Sequence, residues 1–143
     1  MKTNLETLIV DDDKLTLHYI QNIVKESKLE GPVKTSTNGK EALEILENAK
    51  DSSEKVLVLL DINMPVMDGW VFLDKLQEKE YKEKIQVVIV SSSKDPADKE
   101  KSNDYPQVMG FLEKPVSPNV FVEIFDLFDS NIVIKTNPSS NNK

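Results

Sequence analysis

Val56-Leu57-Val58-Leu59-Leu60-Asp61-Ile62-Asn63-Met64-Pro65 is the stretch on which the fold turns. Five apolar residues in a row lead straight into an acid. A strand with one wet face alternates apolar and polar residues, and this one does not. A uniformly apolar strand is buried on both faces, as in a parallel sheet with helices on either side. Asp61 then stands where such a strand ends.

Outward from this strand the pattern repeats. Toward the N-terminus, Leu8-Ile9-Val10 ends a first strand that starts near Leu5, and Asp11-Asp12-Asp13 interrupts it. Leu15, Ile20, Ile23 and Val24 follow at helical spacing, and Gly31-Pro32 closes the unit. Val33 to Thr37 is a short β-branched strand. Asn38-Gly39 is a turn signal, and Ala42, Leu43, Leu46 and Ala49 form the next helical face. Beyond Asp68-Gly69, a third stripe comprises Trp70, Leu73 and Leu76. Val87-Val88-Ile89-Val90 is a second fully apolar strand, with Ile85 just before it and Ser91-Ser92-Ser93 at its end. Asp95 to Pro106 is the weakest helix, with a thin apolar face. Gly110-Phe111-Leu112 is the last strand, and Phe121, Ile124, Phe125 and Phe128 line the last helix. Five strands alternating with five helices predict a doubly wound α/β domain with a five-stranded parallel sheet. The domain spans residues 1–134, and 135–143 read as a polar, disordered tail.

Composition narrows the functions open to such a domain. The 143 residues include no cysteine, which removes disulfides and thiol chemistry. A formal charge of -7 repels nucleic acid unless a basic patch is set apart. Lys79, Lys82 and Lys84 alternate with Glu78, Glu80 and Glu83, so they read as a solvated face. No stretch approaches the ~18 apolar residues of a membrane span. The N-terminus lacks a secretory pattern, so the expected compartment is the cytoplasm.

Chemistry gathers at the strand ends. In an open parallel sheet, ligands bind beyond the carboxyl ends of the strands, where the strand order reverses. That rule brings Asp11 and Asp12, Asp61, Ser91 and Lys114 onto one patch. An acid behind a strand is often only a helix cap, and Asp13 fits that role. Asp11, Asp12 and Asp61 together differ, because three close carboxylates repel unless a cation sits among them. Oxygen ligands without His or Cys suit Mg²⁺ rather than zinc. Lys114 could balance the remaining charge, although alone it reads as a surface lysine; Ser91 could donate a hydrogen bond or be a loop serine. Phe111 reads as a packed aromatic, and His18, the single histidine, as solvated or structural. No phosphate-binding glycine loop or dinucleotide fingerprint is present.

These blocks resemble the receiver domain of two-component response regulators over about residues 5 to 130. The matching pieces are Ile9-Val10-Asp11-Asp12-Asp13, Leu60-Asp61-Ile62-Asn63-Met64-Pro65 with Asp68-Gly69, Val90-Ser91-Ser92, and Phe111-Leu112-Glu113-Lys114-Pro115. The resemblance implies a flavodoxin-like strand order 2-1-3-4-5, the order that receiver proteins share with flavodoxin. It implies Asp61 as phosphoacceptor, with Mg²⁺ held by Asp12, Asp61 and the Asn63 main-chain carbonyl. Asp11 would act mainly through a metal-bound water. Lys114 would contact the phosphoryl group, Ser91 would turn to meet it, and Phe111 would move inward as the aromatic switch. The Lys114–Pro115 bond would be cis. The implied donor is a histidine kinase or histidine phosphotransfer protein. The implied output is an unnamed protein read by the face of the fourth helix, fifth strand and fifth helix; a phosphorylation-dependent dimer is compatible with it. Two alternatives accompany this reading. One is a receiver fragment of a larger regulator, with the tail after Ile134 as a linker stub. The other is a Mg²⁺-dependent phosphatase on the same sheet, disfavoured because Asn63 stands where such enzymes place a second acid.

Overall fold

The computed structural model describes residues 3–27, 29–52 and 54–129. The expected tail at 135–143 and the residues joining it to the last helix lie outside the described residues, as does the Phe128 side chain. The main sheet has strands β1 (Glu6–Val10), β2 (Val33–Ser36), β3 (Val56–Leu60), β4 (Ile85–Ser91) and β5 (Val108–Glu113). Its order is β2-β1-β3-β4-β5, and every pairing is parallel. The helices are α1 (Lys14–Glu26), α2 (Gly39–Asn48), α3 (Gly69–Leu76), α4 (Pro96–Ser102) and α5 (Pro118–Asp129).

The apolar run in β3 behaves as its lack of alternation demands. Val56, Val58 and Leu60 pack with Ala42 and Leu46 of α2 and Phe72, Leu73 and Leu76 of α3. Leu57 and Leu59 point the other way, toward Leu17, Ile20 and Val24 of α1 and Phe121, Ile124 and Phe125 of α5. The sheet is thus sandwiched between two apolar cores, and its carboxyl edge carries the polar residues.

Several details differ from the sequence expectation. A two-residue parallel ribbon joins Thr3–Asn4 to Leu29–Glu30, outside the main sheet. Gly31 follows that ribbon with φ 114°, a conformation that suits glycine. Asn38-Gly39 is not a free turn: Asn38 caps α2 by accepting from the Glu41 N–H at 2.8 Å, and Gly39 is the first helical residue. A 3₁₀ turn at Glu80–Lys84 leads into β4, and the Lys84 ammonium donates to the carbonyls of Ala49 (3.2 Å) and Lys50 (2.8 Å) behind α2. The fifth strand is longer than Gly110–Leu112, because a register shift opposite Val87/Val88 absorbs Met109 and lets pairing begin at Val108. The fourth helix stops at Ser102 rather than near Pro106, because the N–H groups of Asn103, Asp104 and Tyr105 bond three residues back, to Glu100, Lys101 and Ser102, in tight turns rather than continuing the α-helical ladder. It buries only Ser102. Its holds are polar: Asp95 accepts from the Ala97 N–H at 3.0 Å, the Ser93 hydroxyl donates to Asp98 at 2.5 Å, and Lys101 lies 4.6 Å from the centre of the Trp70 ring. Trp70 in turn stacks on Tyr105. Among the described residues, no helix is long and apolar enough to cross a membrane.

Candidate functional site

Because all five strands run parallel, the ends of β1, β3, β4 and β5 open on one edge. Backbone bonds carry the pairing one step past the strands. The Asp61 N–H donates to the Val10 carbonyl at 2.9 Å, Asp11 to Ser36 at 3.0 Å, and Lys114 to Ser91 at 2.8 Å. The side chains of Asp11, Asp12 and Asp61 therefore converge, each offering an oxygen within 4.8 Å of the others. Asp11 and Asp61 are buried, at 2% and 6% exposure, while Asp12 is open to solvent.

Lys114 reaches this cluster from the end of β5. Its ammonium lies 2.8 Å from Asp11 Oδ2 and 3.8 Å from Asp61 Oδ2. Asp11 also accepts from the Asp13 N–H at 2.9 Å, and Asp13 itself caps α1 by accepting from Leu15. Burial raises the Asp61 carboxyl from its ordinary 3.8 to about 6, and the Asp11 charge adds to the rise; Lys114 and a hydrogen bond from the Asn63 backbone oppose it only in part. Burial alone would lower the pKa of Lys114, yet the Asp11 hydrogen bond and the neighbouring Asp61 and Asp11 charges outweigh it and hold the pKa above its usual value.

Three carboxylates against one ammonium leave the patch two charges short of neutral when all are ionised. Hard oxygen donors on a partly open, electronegative patch fit a magnesium-like divalent cation that keeps some of its waters. The donor set holds neither histidine nor thiol; His18 is exposed on α1.

The loop after Asp61 is tightly made. Val66 has φ 69°, and the Met67 N–H bonds back to the Pro65 carbonyl at 2.7 Å. A β-branched residue in the left-handed region is strained and persists only where its surroundings hold it. Asp68 caps α3 by accepting from Val71 at 2.9 Å, and the Gly69 N–H donates to the Ile62 carbonyl at 2.7 Å. A Cβ on Gly69 would lie 2.7 Å from the Asp61 carbonyl oxygen, so this close approach requires glycine. Asn63 sits in this loop with an exposed side chain.

Ser91 is fully buried, and its Oγ accepts from the Ser93 N–H at 3.0 Å. Phe111 pairs in register with Ile89, two residues before Ser91, and its ring is buried at 5% exposure. Ile89 and Phe111 belong to the core on the α2 and α3 side. Side chains alternate along a strand, so Ser91 shares that face. The ring thus occupies an inward position here. The Lys114–Pro115 peptide is cis. The structure brings together Asp11, Asp12, Asp61 and Lys114 of the residues singled out from the sequence, while the strain at Val66 and the glycine contacts were not anticipated.

Fold and site together define a flavodoxin-like α/β protein with an acidic cluster at the sheet's carboxyl edge. The chain belongs to the response regulator receiver domain family, whose profile matches residues 7–126. The two-component response regulator ORR11 of Oryza sativa subsp. indica is 32% identical over 123 residues, covering 82% of this chain and 76% of that protein. A two-component response regulator from Cytophaga hutchinsonii superposes with a TM-score of 0.79 at 25% identity, over 91% of this chain and 99% of that one. A CheX–CheY–BeF₃–Mg²⁺ complex from Borrelia burgdorferi contains a chain matching with a TM-score of 0.75 at 24% identity, over 88% of this chain and 90% of that one. The chain is a receiver domain of two-component signalling, and the family implies a histidine kinase or phosphotransfer partner. The phosphatase alternative falls with this membership.

Proposed function

We propose that this chain accepts a phosphoryl group on Asp61 from a phosphohistidine and signals through the altered surface that follows. The observation that supports this most is the convergence of Asp11, Asp12 and Asp61 with Lys114 as their cationic partner. In the reaction an Asp61 oxygen bonds to phosphorus while the phosphorus–nitrogen bond of the donor breaks, and the electron pair leaves with the imidazole. Asp11, Asp12, Asp61 and the Asn63 carbonyl are the groups assigned to hold Mg²⁺, the ion named with the Borrelia burgdorferi complex. When bound, that ion supplies charge neutralisation for the phosphoryl oxygens. Lys114 supplies a second positive charge, placed to stabilise the transferring group and to release Asp11 as it does so. Ser91 donates its hydroxyl to the phosphoryl group, and Phe111, already buried on the same face, packs beside it.

The added charge biases a surface with two accessible packings. The output surface in this reading is the α4, β5 and α5 face, with a protein partner or a second phosphorylated copy as the reader. Residues 1–134 act as one receiver domain, 135–143 as a tail, and the cytoplasm is the place of action. Acetyl phosphate with Mg²⁺ should add one phosphoryl group by intact mass, and none without the metal. The Asp61→Asn protein should gain essentially none; equal labelling of that variant moves the nucleophile elsewhere.

A further inference from the structure

The strained turn at Val66 needs something to hold it, and the loop is bonded from outside as well as from within. Its internal bonds are Met67 N–H to Pro65 and Gly69 N–H to Ile62. One further bond comes from a different element: the Gly39 N–H, at the start of α2, donates to the Met67 carbonyl at 3.1 Å. The first N–H groups of a helix have no intrahelical acceptor, so this donor is spare. Gly39 does not have positive φ, so its requirement is one of space rather than of conformation. A Cβ there would lie 2.9 Å from the Met67 carbonyl oxygen, 3.0 Å from its Cγ and 3.2 Å from its Sδ.

We propose that Gly39 is a positioning residue for the metal side of the site: it pins the loop that carries Asn63 by bonding Met67 from α2. The inference rests on the Mg²⁺ assignment above and adds a residue from a helix that contributes no ligand. The pin keeps the shape of the loop that carries Asn63, whose backbone N–H bonds the Asp61 carboxyl. A methyl group at position 39 pushes Met67 away and lengthens the bond. Because that Cβ would meet a backbone oxygen, Gly39→Ala should lower the unfolding temperature as well as the cation affinity.

The test titrates MgCl₂ into wild type, Gly39→Ala and Asp12→Ala, following Trp70 fluorescence, and adds thermal unfolding and acetyl phosphate labelling. Gly39→Ala should weaken Mg²⁺ affinity about fivefold, the scale of one lost hydrogen bond. Labelling at saturating Mg²⁺ should stay within about twofold of wild type, because every ligand remains. Unchanged affinity, or labelling that stays low at saturating Mg²⁺, overturns the proposal. Hydrogen exchange of the Gly39 amide in wild type supplies a measure that needs no variant to fold. Coupling is reciprocal, so Mg²⁺ should slow that exchange; exchange indifferent to Mg²⁺ also overturns the pin. If wild type and Asp12→Ala bind Mg²⁺ alike, the site assignment itself has failed, whereas a normal Asp12→Ala loss with an unaffected Gly39→Ala defeats the pin alone.

Discussion

Replacing Asp61 by Asn should stabilise the metal-free protein while abolishing its phosphorylation. The carboxyl rises from 3.8 to about 6 because it is buried beside Asp11. At about 1.4 kcal/mol per tenfold change in proton affinity, that rise corresponds to a cost of about 3 kcal/mol for holding the ionised form in the fold. The unfolded chain titrates near the ordinary value, so both states are protonated below about pH 4 and the cost is absent there. As pH climbs through about 6 the folded protein must ionise Asp61, and that stability is lost. Asn63 can still donate to the amide oxygen of Asp61→Asn, and Lys114 keeps Asp11 as its partner. Urea unfolding with a chelator should therefore show the variant ahead by about 2–3 kcal/mol at pH 8 and level with wild type at pH 4. Mg²⁺ at about 100 times its dissociation constant should return about 2.7 kcal/mol to wild type and nearly close the gap. A gain of the same size at both pH values, or no gain at pH 8, refutes the reasoning.

Two other substitutions probe the neighbouring parts. Phe111→Ala should lower stability by about 3–5 kcal/mol, as expected for a buried ring, yet still accept phosphate; the amide shifts that beryllofluoride induces across residues 91–115 should contract to the vicinity of Asp61. Gly69→Ala should cost about 1–3 kcal/mol in chemical unfolding, because its Cβ meets the Asp61 carbonyl oxygen at 2.7 Å, and should reduce labelling by acetyl phosphate.

Much of the fold was legible because strands buried on both faces leave no alternation to misread. Val56–Leu60 and the apolar centre of Ile85–Ser91 are of this kind. Asp11, Asp12 and Asp61 were legible as a site because parallel strands force their ends onto one edge. What stayed hidden depends on contacts between distant backbones. Nothing in Thr3–Asn4 announces its pairing with Leu29–Glu30. Asn38-Gly39 reads as a turn because its residues suit one, and only the approach of Met67 shows why the second is glycine. Val66 has ordinary strand chemistry, so its positive φ comes from the loop around it. The fourth helix was read too long because its polar residues carry no period against which to place an end.

The scant burial in α4 has a consequence for descent. A helix that sinks only Ser102 into the interior leaves the rest of its surface free of packing constraints. Exposed substitutions of that sort usually change stability by less than about 0.5 kcal/mol. Its caps and the Trp70–Lys101 contact locate it, while Lys99 and Glu100 can drift with little penalty. If α4 belongs to the output surface proposed above, duplicated copies of such a gene can diverge there and acquire different readers, while the buried strand residues beneath the site stay constrained by packing.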